Sequence, residues 1–125
     1  MDRVKLKNWL KENAGIRVVA IEEDASVQES FRSGDPALDK QAQDDILERM
    51  QVSEWAWCCV KVGARYEDWR GYAYLGCCSY DSEEDFIKNS GHYEELVDEA
   101  LDELVDNILE TRKKMKKIWE EIQYP

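Results

Sequence analysis

The sequence predicts an α+β fold: a small antiparallel sheet of about three strands with a central hairpin, packed against helices, and a long C-terminal helix. Three observations lead there. The run Ile16-Arg-Val-Val-Ala-Ile21 is short and β-branched, the composition of a strand. Trp55 to Ala64 and Tyr72 to Tyr80 are rich in Trp, Tyr, Val and Cys, which suit a pleated, half-buried surface, and only a polar segment separates them. From His92 onward, Val97, Leu101, Leu104, Ile108, Met115, Ile118 and Ile122 recur at alternating steps of three and four, with Thr111 filling one slot.

Each element follows in chain order. Residues 2–13 read as a helix with Val4, Leu6, Trp9 and Leu10 on part of an apolar stripe and Gly15 as its stop signal. After the strand at 16–21, Glu22 to Gly34 is a polar loop with a brief ordered piece around Val27–Phe31. Asp35-Pro36 starts a helix, because the carboxylate accepts from the free N–H groups of the first turn and proline needs no N–H there. That helix runs to about Met50, with Leu38, Ala42, Ile46, Leu47 and Met50 as its apolar positions.

Between the aromatic strands, Tyr66-Glu-Asp-Trp-Arg-Gly71 reads as a turn ending in glycine. A hairpin centred on Asp68 sets Cys58 opposite Cys78 and Cys59 opposite Cys77. Val60, Val62, Tyr72, Tyr74 and Tyr80 then share one face, and Trp55, Trp57, Lys61 and Leu75 the other. A slip of one residue mixes these sets. Asp81 to Ile87 is a connector with about one helical turn, broken by Asn89-Ser-Gly91. The seam of the last helix is about 39 Å long at 1.5 Å per residue, against about 30 Å for a small domain, so its end is expected to overhang. All 125 residues are expected to form one domain: a basic N-terminal helix at 1–15, a sheet with an inserted helix at 16–80, and the long helix at 90–123.

Charge is the strongest compositional signal. The chain carries −11, with 28 acidic and 17 basic residues. Residues 22–110 hold 24 of the acids and 7 of the bases, while both ends are basic. Acidic surfaces repel nucleic acid and anionic membranes and attract basic proteins, many of whose surfaces are nucleic-acid grooves. Neither direct nucleic-acid binding nor membrane contact is expected. No apolar run approaches the ~20 residues of a membrane span, and the N-terminus lacks an apolar signal-peptide core. A cytoplasmic location with four reduced cysteines follows.

The chemistry-bearing candidates are few. Cys58-Cys59 and Cys77-Cys78 could suggest a four-cysteine zinc site, but neighbouring strand residues point to opposite faces, so at most two of the four converge. Small thiols filling the sheet core are the expected role, with zinc or a cross-hairpin disulfide as the alternative. His92 is the only histidine and stands at a helix start with no nucleophile motif around it. No Walker loop, GxGxxG, HExxH or EF-hand pattern occurs, so no catalytic residue, metal or cofactor is expected. Four of the five tryptophans are expected in the core. Arg112 to Lys117 is expected to be a solvated helix end.

The acidic stretch of the last helix carries the sharpest functional signal. Glu94, Asp98, Asp102 and Asp106 recur at i+4, about every 6 Å along one side, a spacing comparable to phosphates along a DNA strand. Glu95, Glu99 and Glu103 extend it. Like charges this close cost a few tenths of a kcal/mol per pair, and no lysine interleaves to relieve them. The bland alternative is a solvated face opposite the apolar seam. Trp69, with Glu67 and Asp68 in the hairpin turn, is a candidate anchor beside it.

The segments Trp55-Ala-Trp-Cys-Cys-Val60, Tyr74-Leu-Gly-Cys-Cys-Ser-Tyr80, Ser82-Glu-Glu-Asp-Phe86, Tyr93 and Glu99-Ala-Leu-Asp102 carry a further signal. With Ser33-Gly-Asp35 and Asp44-Asp45-Ile46, they resemble a group of small acidic bacteriophage and prophage proteins of unknown function. The likeness spans about residues 16–106 and brings no catalytic residues. It implies a phage or mobile-element origin. The function expected from charge and likeness together is non-enzymatic inhibition of a host nucleic-acid-handling defence protein, of anti-CRISPR or anti-restriction type, by DNA mimicry. The alternatives are an assembly protein that dimerises through its C-terminal helix, or a cysteine-based metal or redox module.

Overall fold

The computed structural model describes residues 2–31 and 33–123. The elements are α1 Arg3–Asn13, β1 Gly15–Ile21, α2 Val27–Ser30, α3 Pro36–Arg49, a 3-10 turn at Glu54–Ala56, β2 Cys58–Tyr66, β3 Trp69–Cys78, α4 Glu83–Asn89 and α5 Tyr93–Gln123. The class is α+β, with a three-stranded antiparallel sheet and the long C-terminal helix. Local chemistry fixes most helix starts. The Asp2 carboxylate accepts from Val4 N–H, Ser26 Oγ from Glu29 N–H, and Asp35 from Ala37 and Leu38 N–H. Ser82 Oγ accepts from Asp85 N–H, and the Asp85 carboxylate accepts from Asp81 N–H at 3.0 Å. Each such cap stabilises its helix by about 1 kcal/mol.

The sheet is a meander in the order β1-β2-β3. β2 is central and pairs Val18 with Val62 on one side and Val62 with Ala73 on the other. Tyr66 pairs with Trp69, so the hairpin turn is only Glu67-Asp68, with Glu67 at φ 52°. This corrects the register expected from a turn centred on Asp68. A two-residue turn with positive φ matches the twist of the flanking strands, whereas centring on Asp68 would need an odd-numbered loop. Tyr72 and Tyr74 therefore share a face with Lys61, and Val60 and Val62 share one with Ala73 and Leu75. Near the other end a bulge intervenes, with Cys77 at φ 55°. The extra residue restores the expected Cys58–Cys78 pairing and leaves Cys77 without a cross-strand partner.

Helices cover one face of this sheet. The core joins Leu6 and Leu10 of α1, Val18 of β1, Cys58, Val60, Val62 and Ala64 of β2, and Ala73 and Cys78 of β3. Phe86 of α4 and Leu96, Ala100, Leu101, Leu104 and Val105 of α5 complete it. Gly71, expected to end the turn, instead lies inside β3 under α5. A Cβ there would meet Ala100 O at 2.2 Å and Leu104 N at 2.3 Å. The helix backbone can lie this close to the strand only because the side chain is absent. Trp55 falls in the 3-10 turn rather than a strand and packs against Phe86. Val27, Ile46, Trp57 and Phe31 form a smaller cluster, where Trp57 Nε1 donates to Ala25 O at 2.9 Å.

The expected seam of α5 splits in two. Val97, Leu101, Leu104 and Ile108 pack on the domain, whereas Met115, Ile118 and Ile122 are exposed, together with Trp119. The last twelve residues of α5, about 18 Å of helix, run past the sheet.

Candidate functional site

Helix α5 positions the acidic residues, and its 3.6-residue period divides them into two rows. The first is Asp98, Asp102 and Asp106, with Glu94 exposed at its start. Helix α1 lies against this row and brings cations to it. Lys7 Nζ is 2.7 Å from Asp98 and 3.0 Å from Asp102. Arg3 reaches Asp102 at 3.6 Å and also pairs with Asp106. The hydrogen bond from Lys7 holds the Asp98 carboxyl below its ordinary range, and the Asp98 and Asp102 carboxylates raise Lys7 in turn. The expectation of an unrelieved row is thus corrected. The relief comes from another element, 91 or more positions away in sequence, not from interleaved lysines.

The second row is Glu95, Glu99 and Glu103, continued by Glu110. It is exposed on the side of α5 turned away from the sheet. Among the described residues, Glu99, Glu103 and Glu110 have no ion pair, and Glu95 has only His92 Nδ1 at 4.0 Å. This is the free acidic face of the helix. Glu67 and Asp68 are exposed in the hairpin turn as expected. Trp69 is not in the turn. It opens β3 on the helical face, where its Nε1 donates to Thr111 Oγ1 at 3.0 Å and its ring packs against the core. Its role is to hold α5 onto the hairpin rather than to project into a partner.

Among the described residues, no helix packs across the opposite face of the sheet. Strand alternation places Arg17 and Val19 of β1, Lys61, Gly63 and Arg65 of β2, and Arg70, Tyr72 and Tyr74 of β3 there. All of these but Tyr74 line a shallow groove of about 510 Å³. The ring of Tyr72 leans over Gly63, with ring carbons 3.2 and 3.3 Å from where a Cβ would stand, and Lys61 Nζ lies 4.3 Å from the ring centroid. The Tyr72 and Tyr74 rings are 6.5 Å apart. Sequence reasoning missed this face, because only the register unites positions 17, 61, 65 and 70. The available signal was the alternation Lys61-x-Gly63-x-Arg65 against Arg70-x-Tyr72-x-Tyr74.

Comparison with known proteins returns no matching family model, no matching curated protein and no matching solved structure. The functional reading therefore rests on the residues themselves.

Only two of the cysteines come together, Cys58 and Cys78, paired across β2 and β3. Cys58 and Cys78 are buried on the helical side, Cys59 is half-buried and Cys77 exposed, and all four are free thiols. Among the described residues no group of three or more metal-ligating side chains comes together. Burial pushes Cys58 up to about 12 and Cys78 up to about 11, so both remain protonated thiols at neutral pH. The Glu23 carboxylate sits against the bulge, accepting from the Cys77 thiol and its N–H, and these bonds hold it below the ordinary range. His92 is exposed at the start of α5. No helix among the described residues is long and apolar enough to cross a membrane.

Proposed function

We propose that the chain is a non-enzymatic binding protein of phage or mobile-element origin. Its acidic helix face would dock on a basic surface of a host nucleic-acid-handling protein in the cytoplasm and inhibit it, as an anti-CRISPR or anti-restriction factor does. One observation carries this reading: Glu95, Glu99 and Glu103 form an exposed row at about 6 Å intervals without cations to neutralise them. A like-charge row costs helix stability, and a Lys/Arg-lined channel would turn that cost into attraction. The likeness of Trp55–Val60, Tyr74–Tyr80 and Ser82–Phe86 to phage proteins supports the choice of a host target. The raised thiols and the solvated His92 support action by contact rather than by turnover.

The test is co-purification of a basic host protein with the tagged chain, challenged with competing DNA and with salt. Displacement by DNA and weakening at high salt are expected, and Glu95→Lys with Glu99→Lys and Glu103→Lys should reduce capture more than tenfold. Full capture by that triple variant would refute the docking face.

A second reading has its own observation. Met115, Ile118, Trp119 and Ile122 are 60%, 49%, 62% and 64% exposed on the overhanging end of α5, an apolar stripe that no other described residue covers. Four side chains are far fewer than the roughly 20–30 residues a side that a stable interface commonly uses, so a dimer through this end would be weak without further contacts. Light scattering across a concentration series checks it, and Ile118→Asp should abolish any dimer seen.

A further inference from the structure

We propose that the open face of the sheet is a binding site for single-stranded nucleic acid, formed by Arg17, Lys61, Arg65 and Arg70 with Tyr72 and Tyr74. This goes beyond the acidic-helix reading and uses the opposite side of the molecule.

Charge gives the first half of the argument. Of the open-face positions on the three strands, four are cations and none is a carboxylate. None of these four cations has an ion pair among the described residues, in contrast to Arg3, Lys7, Arg49 and Lys88, which all do. The acids nearest to it stand at its two ends: Glu23, whose carboxylate lies over Gly76, and Glu67 and Asp68 in the turn, where Glu67 O accepts from Arg65 and Arg70. The acidic rows of α5 lie behind the other face of the sheet. The acidic rows of the helix are screened from this face over the ~8 Å Debye length at physiological salt, so a ligand at its centre meets four cations, bordered by Glu23 at one end and by Glu67 and Asp68 at the other, rather than the overall −11.

Ring chemistry selects among anions. Tyr72 and Tyr74 stand two residues apart on one strand face, and Tyr74 is 54% exposed. Two aromatic surfaces 6.5 Å apart, bordered by cations, fit successive unstacked bases with phosphates on the Arg and Lys side chains. An acidic peptide would use the cations but has no need of the rings. A duplex has its bases stacked internally, and a flat face floored by Gly63 has no ridge to enter a major groove.

The test titrates the full chain into a fluorescein-labelled oligothymidylate of about 12 nucleotides, its duplex with oligoadenylate, and a labelled oligoglutamate, at about 50 and 200 mM salt. Binding of the single strand is expected, at least tenfold tighter than the duplex or the peptide and weaker at the higher salt. Tyr74→Ala should weaken it about tenfold, and Arg17→Gln with Lys61→Gln should weaken it and flatten its salt dependence. Circular dichroism verifies that each variant folds. The Glu95, Glu99 and Glu103 lysine triple should not weaken it, which separates failure here from failure of the acidic-face proposal. No single-strand binding at the lower salt, equal binding of duplex or oligoglutamate, or full binding by folded Tyr74→Ala would each overturn the proposal.

Discussion

Gly71 shows how much one residue can carry. The α5 backbone passes so close that any side chain would overlap Ala100 O and Leu104 N, both main-chain atoms that cannot rotate away. Gly71→Ala is expected to cost about 3 kcal/mol or more, read as a lowered denaturation midpoint, because helix and strand must separate. Lys7 is the opposite case, a largely covered cation between two half-exposed carboxylates. Lys7→Ala is expected to cost only about 0.5–1 kcal/mol, an effect that high salt should shrink in the same denaturation assay. A larger, salt-insensitive loss would mean that α1 is held by Leu6 and Leu10 through Lys7's aliphatic stem rather than by its charge. Neither effect was legible in the sequence. Gly71 looked like turn punctuation because it follows a polar run, and the partners of Lys7 lie on the far side of the chain.

At the scale of elements, the helices were the most legible part. Asp35-Pro36 and the alternation of three and four in the last helix are local signals, and local chemistry decides where helices start. The sheet was less so. Both the pairing of Cys58 with Cys78 and the presence of a hairpin were readable, but the faces of Tyr72, Tyr74 and Lys61 were not, because a two-residue turn and a bulge offset each other. The candidate site suffered most from this. The tyrosines were assigned to the same face as Val60 and Val62, and the cationic groove disappeared with them. The overhang of α5 was foreseen from length alone. Since residues 113–123 pack on nothing, a chain ending at Arg112 should keep its thermal midpoint to within about 2 °C, while Thr111 still accepts from Trp69. A larger fall would show that the overhang is buried in a dimer.

Over the whole molecule, the titrating groups set a pH window. Asp98, Asp85 and Glu23 have folded pKa values below their ordinary ones, held down by Lys7, by the Asp81 N–H and by the Cys77 thiol respectively. Their contribution is present above the unfolded carboxyl range and is lost as pH falls through the folded values, so stability should begin to drop below about pH 5. Cys58 and Cys78 act at the other end. Their folded values near 12 and 11 lie above the unfolded thiol value, so their contribution is complete below that value. Above about pH 9 the unfolded chain releases protons that the folded one keeps. Each thiol then lowers stability by up to about 1.4 kcal/mol per pH unit. Urea midpoints measured from pH 3 to 11 should trace a plateau with both shoulders, and replacing Cys58 with Ala should soften the alkaline one. Net charge, the strongest signal in the sequence, proved an average over a folded object with an acidic flank and a basic one.

The bulge at Cys77 acts like a frameshift in β3. Before it, odd-numbered residues face the helices; after it, Cys78 does. Removing Gly76 would take out the extra residue and give a regular ladder in which Cys78 still lies opposite Cys58 toward the helices and Cys77 still points outward. The segment leading to α4 would then enter with its present facing. A one-residue deletion at this point of the surface would therefore be absorbed by the loss of the bulge, without a rearrangement of the core.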